Sequence, residues 1–435
     1  MGNVRLILFV ALALVLLLMW EAWQKDYGQR PAPQPSQVTQ KGAGEHPAVQ
    51  EVPKLPEQAQ VQALPQRAAQ EQRVHVRTDV LDLEIGSRGG DILRADLLKY
   101  AVSIDKPDEP VRLLNDDLPH FFIAQSGNLK APPSHRDIFT PEKLDYRLGE
   151  GQDRLEVVLT WKGEGVSVDK IYTFHRGSYL IEVEHRIHNT SQAPWKGRMY
   201  GQFQRTGWFP QESSRFIHTF TGPAFHTQEE RYRKVSFDEI AAHDVAFDGH
   251  GGWVAMLQHY FVTAWIPPQE GENHFYARAL PGERYLVGVV TPEKAIGEEG
   301  KLSMRLYLGP KIQRLLAEAA PGLELTVDYG FLWFISQPLF WVLEKINLVV
   351  GNWGWSIVIL TLLIKLAFYP LSAKSYRSMA NMRKLQPKLA ELKERYGDDR
   401  QRMSQAMMEL YKREKVNPLG GCLPILVQIP VFIAL

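Results

Sequence analysis

The chain has 435 residues, with 50 Lys and Arg against 49 Asp and Glu, and a net charge of +1. That length gives room for two or three domains, and the single cysteine, Cys422, excludes an intrachain disulfide. Any domain exported to an oxidising compartment must therefore stand on its hydrophobic core alone.

Residues 4–23 are apolar apart from Arg5 and Glu21. No small-x-small cleavage site follows them, and Trp20 and Trp23 stand where an interfacial belt would sit. We read residues 1–27 as an uncleaved signal anchor in preference to a cleaved signal peptide. Arg5 and the free amine favour an N-terminus kept in the cytoplasm. Residues 28–70 are rich in Pro, Gln and Ala and have no apolar periodicity, which predicts an extended, flexible tether.

From residue 71 to 330 the pattern is alternation. Leu155, Val157, Leu159 and Trp161 form one strand face, and Ile181, Val183, His185 and Ile187 form another. Leu302, Met304, Leu306 and Leu308 repeat it, as do Leu323, Leu325, Val327 and Tyr329. Short period-two runs broken by Gly, Pro and Asn turns predict a large antiparallel β-sandwich. An outward-running anchor places that domain on the far side of the membrane.

Residues 331–350, FLWFISQPLFWVLEKINLVV, are apolar but interrupted by Ser336, Gln337, Pro338, Glu344 and Lys345. A helix lying in the outer interface, with Trp333 and Trp341 at headgroup depth, fits better than a spanning one. A second transmembrane helix is expected over residues 351–372. Its stretch WGWSIVILTLLIKLAFYP, residues 353–370, carries one charge, Lys365, and at about 1.5 Å per residue reaches roughly 27 Å.

A lysine inside such a span costs on the order of 2.5–3.5 kcal/mol. On a helical wheel Gly354, Val358, Thr361, Lys365, Tyr369 and Ser372 fall within about 40° of one line. Two readings stand side by side. The line is one wall of a water-accessible groove within the membrane, or Lys365 snorkels to the nearby cytoplasmic interface.

Residues 373–417 hold 12 Lys and Arg against 6 Asp and Glu, a local +6 that leaves −5 elsewhere. By the positive-inside rule the second span ends in the cytoplasm, in agreement with the outward first one. Met379, Met382, Leu385, Leu389, Leu392 and Tyr396 step by threes and fours, the seam of a helical hairpin that Pro387 should kink. Asp398 with Gln401 resembles a capping box for the second helix, which offers Met403, Met407 and Leu410 to the first. The methionines read as hairpin core, or as an adaptable docking surface. Topology alone accounts for the basic excess, with contact to anionic lipid or ribosomal RNA as the second reading. Residues 418–435 begin like a third span and stop, which suggests a fragment.

Four C-terminal pieces carry a resemblance. They are the string from Asn352 through Pro370 and Leu371, the stretch from Lys374 to Met382, Leu385-Gln386-Pro387-Lys388, and Asn417 through Pro424 with Gln428-Ile429-Pro430. In order and spacing they closely resemble the YidC membrane-protein insertases of Gram-negative bacteria. The resemblance implies a multi-pass inner-membrane protein that inserts and helps fold hydrophobic segments of nascent proteins, alone or beside the Sec translocon. It implies a supersandwich-like periplasmic domain over about residues 71–330, with no enzymatic role, no cofactor and no metal. It further implies a hydrophilic groove whose basic residue is Lys365, with Gln428 and Pro430 in the substrate-facing part of the third span, and the helical wheel adds Thr361 to the same line. The family often has arginine where this chain has Lys365, which keeps the charge and loses the bidentate fork. The implied partners are nascent membrane proteins, the Sec translocon, the ribosome and membrane lipids, with the chain acting as a monomer.

The main rival is a membrane-anchored periplasmic protein that acts on or binds carbohydrate through its β-sandwich. No acid pair can be placed for it, and His185 and His188 fall on opposite strand faces as surface or core fillers. A periplasmic chaperone or scaffold is the second rival. The Gly86-Ser87-Arg88-Gly89-Gly90-Asp91 run lacks the spacing and lysine of a phosphate loop and reads as a turn.

Overall fold

A computed structural model describes residues 72–207, 220–396, 399–414 and 423–435. The anchor and tether expected over residues 1–70 lie outside the described residues, as do Gly397, Asp398 and Cys422. The described residues form two compact units that separate between Val327 and Asp328.

In the first unit the strand Leu180–Asn189 shows how alternation becomes a sheet. Ile181, Val183, His185 and Ile187 are buried, while Glu182 and Arg186 are exposed. The strand pairs antiparallel with Val166–His175 and with Glu299–Pro310, so Val183 stands opposite Tyr172 on one side and Met304 on the other. Among the described residues this sheet has nine strands and a second sheet has eleven. Pairing is antiparallel apart from the parallel contact of Arg73–Arg77 with Asp145–Arg147.

The two sheets share one apolar core that includes Tyr172, Phe203, Trp253 and Trp265. Trp265 lies across Gly201 of the facing sheet, where a Cβ would come within 2.5 Å of the indole. Its Nε1 donates to the backbone oxygen of Gln202 at 3.1 Å. Truncating such a fully buried tryptophan costs about 3–5 kcal/mol. The large antiparallel β-sandwich expected from the alternation is present.

Two short helices, α1 (Phe237–Ala242) and α2 (Gln313–Ala319), accompany the sheets. After α2 the structure corrects one expectation. The run Leu323, Leu325, Val327, Tyr329 is not a strand, because Leu323–Thr326 forms a 3-10 turn. Gly322 enters that turn at φ 77°, and the Thr326 hydroxyl closes it by donating to the Leu323 oxygen at 2.7 Å. Leu325 is consequently exposed while Leu323 is buried, so a period-two pattern is met by a turn.

The second unit holds α3 (Trp333–Val350), α4 (Trp353–Ala367), α5 (Tyr369–Lys384), α6 (Gln386–Tyr396), α7 (Arg400–Arg413) and α8 (Leu423–Ala434). The helix expected over residues 351–372 stops at Ala367 and bends by 59° into α5. Pro370 causes the break, since it has no amide to donate to the turn before it and its ring crowds that turn. Among the described residues no single helix is long and apolar enough to cross a membrane, and α4 with α5 meets that test only as a bent pair.

Pro387 does more than kink the hairpin. The chain leaves α5 at Leu385 and restarts as α6. The cap of α7 is Asp399, one residue beyond the expected Asp398, and its carboxylate accepts from the amides of Gln401 and Arg402 at 3.1 and 3.0 Å. Met403, Met407 and Leu410 are half-buried in the hairpin, as are Leu389, Leu392 and Tyr396. Lys388 joins Glu414 across it at 2.7 Å.

One lysine of the sandwich is wholly enclosed. Lys170 occupies the inward line of Val168, Tyr172 and Phe174. Its ammonium donates to the oxygens of Gly89 and Ser126 at 2.7 and 3.0 Å. Gly90, at φ 63°, leaves room for it, because a Cβ there would meet the lysine stem at 2.9 Å. Asp91 lies close enough to act on it and accepts from Gln125 at 2.6 Å. Burial pushes the lysine down to about 7 from 10.5, with Asp91 opposing the shift. The unfolded amine therefore holds a proton that the folded one has lost, and stability rises with pH across that window and is flat in this term below it. Denaturation of the β-sandwich, followed by near-ultraviolet circular dichroism in detergent, should show a urea midpoint that climbs between pH 7 and 9.5. Lys170→Met should flatten that climb. An unchanged slope in the variant would refute the assignment.

Candidate functional site

The most chemically loaded element of the second unit is α4. Asn352 begins it, its side-chain oxygen accepting from the amide of Trp355 at 3.1 Å. Ser356, Leu360 and Ile364 are buried at a spacing of four, and this is the side on which α3 packs. The helix is otherwise greasy and outward-facing, with Trp355, Ile357, Val358, Leu362, Leu363 and Leu366 all exposed.

Lys365 is exposed as well. Thr361, one turn earlier, shares its face, but the threonine hydroxyl turns back and donates to the oxygen of Ile357 at 2.8 Å. Along α4 the line read from the wheel holds one charge and one hydroxyl, Lys365 and Thr361, since Val358 and Gly354 add no polar side chain. The 59° bend at Phe368 takes Tyr369 and Ser372 off the α4 axis and onto α5.

Gln428 and Pro430 sit on α8, both half-buried. That helix packs chiefly on α3 and α5, and the Ser336 hydroxyl of α3 donates to the oxygen of Ala434 at 2.9 Å. Pro430 withholds an amide from α8, so the oxygen four residues before it needs another donor. The four candidate residues therefore fall as two pairs, Thr361 with Lys365 on α4 and Gln428 with Pro430 on α8. They are linked through the helices that both pairs adjoin. Lys374, Arg377, Arg383, Lys384 and Lys388 are exposed along α5 and α6.

Two polar features were not anticipated. The turn between α3 and α4 brings Asn347, Asn352 and Ser356 together, and the only sequence signal was an asparagine in a capping position before an apolar run. The enclosed Lys170 stood on an inward position of an alternating strand, a legible anomaly once the phase of the strand is fixed.

Two family profiles match. Residues 73–342 match the YidC periplasmic domain, and residues 345–435 match the 60Kd inner membrane protein family. A membrane protein insertase YidC from Thioalkalivibrio sulfidiphilus is 50% identical over 457 residues, covering 100% of this chain and 81% of that protein. One from Methylococcus capsulatus is 49% identical over 446 residues, with the same 100% and 81% coverage. Among solved structures, a galactose mutarotase-like protein from Lactobacillus casei aligns with a TM-score of 0.38 and 8% identity, over 54% of this chain and 99% of that one.

Proposed function

The chain belongs to the YidC family of membrane protein insertases of the bacterial inner membrane, and from that premise we propose how its own residues carry out insertion. The substrates are hydrophobic segments of membrane proteins. The working surface is the face of α4 that bears Lys365, and the observation that carries this reading is the position of that lysine. It is the one charge on an apolar helix, and it is exposed on a different side from the one packed against α3.

The physical task is to move a polar or acidic tail past hydrocarbon. Stripping its hydration is costly, and a wet, positively charged groove shortens the dry path. Lys365 supplies the attraction, and its effect is general rather than geometric, because an ammonium lacks the planar fork of a guanidinium. Gln428 and Pro430 meet the substrate from α8. The apolar segment then partitions into lipid, and burial at about 25 cal/mol per Å² drives the step without a nucleotide. Insertion in this sense is catalysis with no covalent chemistry.

In this reading the chain is multi-pass, with a cytoplasmic N-terminus and residues from about 28 to 350 in the periplasm. Helix α3 lies in the outer interface, where the exposed Trp333 and Trp341 meet headgroups. The basic hairpin of α6 and α7 faces the cytoplasm, where the ribosome and anionic lipid are its partners. The Sec translocon joins it for some substrates, and one copy suffices.

The test is insertion of a single-span substrate with an acidic translocated tail into liposomes bearing the full-length protein. Lys365→Ala and Lys365→Glu should each slow insertion, by about tenfold for the alanine if roughly 1.4 kcal/mol of barrier lowering is lost. Lys365→Arg should retain it, and a basic tail should partly rescue the glutamate variant. Unchanged insertion in both loss variants would mean that Lys365 only snorkels.

A further inference from the structure

The corner between α3 and α4 is built more carefully than a mere connection requires. Helix α3 ends at Gly351 in the left-handed conformation, φ 67°, and its amide donates back to the oxygen of Asn347 at 2.8 Å. Asn352 then caps α4 through the amide of Trp355. The Ser356 hydroxyl donates to the oxygen of Asn352 at 2.7 Å and reaches the side-chain oxygen of Asn347 at 3.5 Å. Ser356 is 0% exposed, so this small polar side chain is the point at which α3 approaches α4 closely.

Nine residues separate Ser356 from Lys365, and at about 100° per residue they stand on diametrically opposite sides of α4. Whatever fixes Ser356 against α3 fixes the direction in which Lys365 points. A helix of this kind, apolar nearly all round, gives lipid little reason to prefer one rotation over another, since most of its faces are equally greasy. The cost of Lys365 in lipid disfavours some rotations, and a specific contact with α3 selects among the rest.

The geometry points to Ser356 and Asn347 as positioning residues that set the rotation of α4 and so aim Lys365 away from α3. This inference rests on the reading of Lys365 as the charge of the working surface, and it extends that reading to residues that never touch substrate. Asn347 acts through the serine, Gly351 gives the turn, and the lysine receives the result.

The experiment compares cysteines at positions 365 and 366, each introduced singly into the full chain in membrane vesicles after Cys422→Ser has removed the native thiol. Each is labelled with a water-soluble, membrane-impermeant maleimide applied from the cytoplasmic side. With the native corner, position 365 should label several-fold faster than position 366. In Ser356→Leu, where bulk is forced into the contact, and in the Asn347→Ala, Ser356→Ala pair, the preference should shrink or invert while expression and β-sandwich stability hold. Should the leucine variant fail to accumulate, the milder alanine pair carries the test alone. An unaltered preference in variants that accumulate overturns the inference, whatever insertion assays say of Lys365. A shifted preference together with unimpaired insertion by Lys365→Ala would uphold the positioning role and refute the working-surface reading instead.

Discussion

An ammonium group has to keep something polar around it, and much of this protein can be understood from how two lysines meet that demand. Lys170 gives up water entirely. It takes the oxygens of Gly89 and Ser126 in exchange and has its proton affinity pushed down to about 7. Lys365 stands on an apolar helix and keeps an exposed position. The first arrangement is rigid and internal, and it costs the domain stability at neutral pH. The second leaves a charge available to whatever polar group comes near it.

The surroundings follow from these choices. Around Lys170 the chain supplies glycines at 89 and 90, both at positive φ, so that backbone oxygens can approach the ammonium closely. A chain of side-chain hydrogen bonds then runs from Asp91 through Gln125 and Gln202 to Tyr276. Such a network holds only if its members are satisfied together. Around Lys365 the chain does the reverse. It puts its packing, through Ser356, Leu360 and Ile364, on the far side of α4 and ends the helix at Ala367, where Pro370 prevents continuation. The lysine falls in the last turn of α4, where the carbonyl end of the helix favours a cation.

Much of this was readable in the sequence, for physical reasons that differ between the two units. Strand phase is robust because a one-residue slip turns every side chain to the wrong face, so the inward lines at 181–187 and 302–308 were plain. The same rule misled at Leu323–Thr326, where apolar residues two apart satisfy a 3-10 turn once Gly322 admits the left-handed conformation. In the helical unit, apolar composition announced α4 but not its end. The break depends on how Pro370 interacts with the preceding turn, and composition does not encode that. Pro387 likewise read as a kink and produced a restart. The Asn347–Ser356 corner escaped notice because its members are ordinary polar residues, meaningful only once two helices are set side by side. Lys365 and Thr361 were found from periodicity, whereas Gln428 and Pro430 came from family resemblance and have no periodic signal of their own.

The central claim is that one face of α4, and not merely its end, meets water within the membrane. It is tested most directly by placing a nitroxide at each position from 355 to 368 in the full-length protein, in vesicles made up in heavy water, and measuring deuterium modulation of the electron spin echo. The account predicts a signal with helical period, high at 358, 361 and 365 and low at 356, 360 and 363. A signal that rises smoothly toward residue 368 with no such period would contradict it, and would leave Lys365 as a side chain stretching toward the nearest interface.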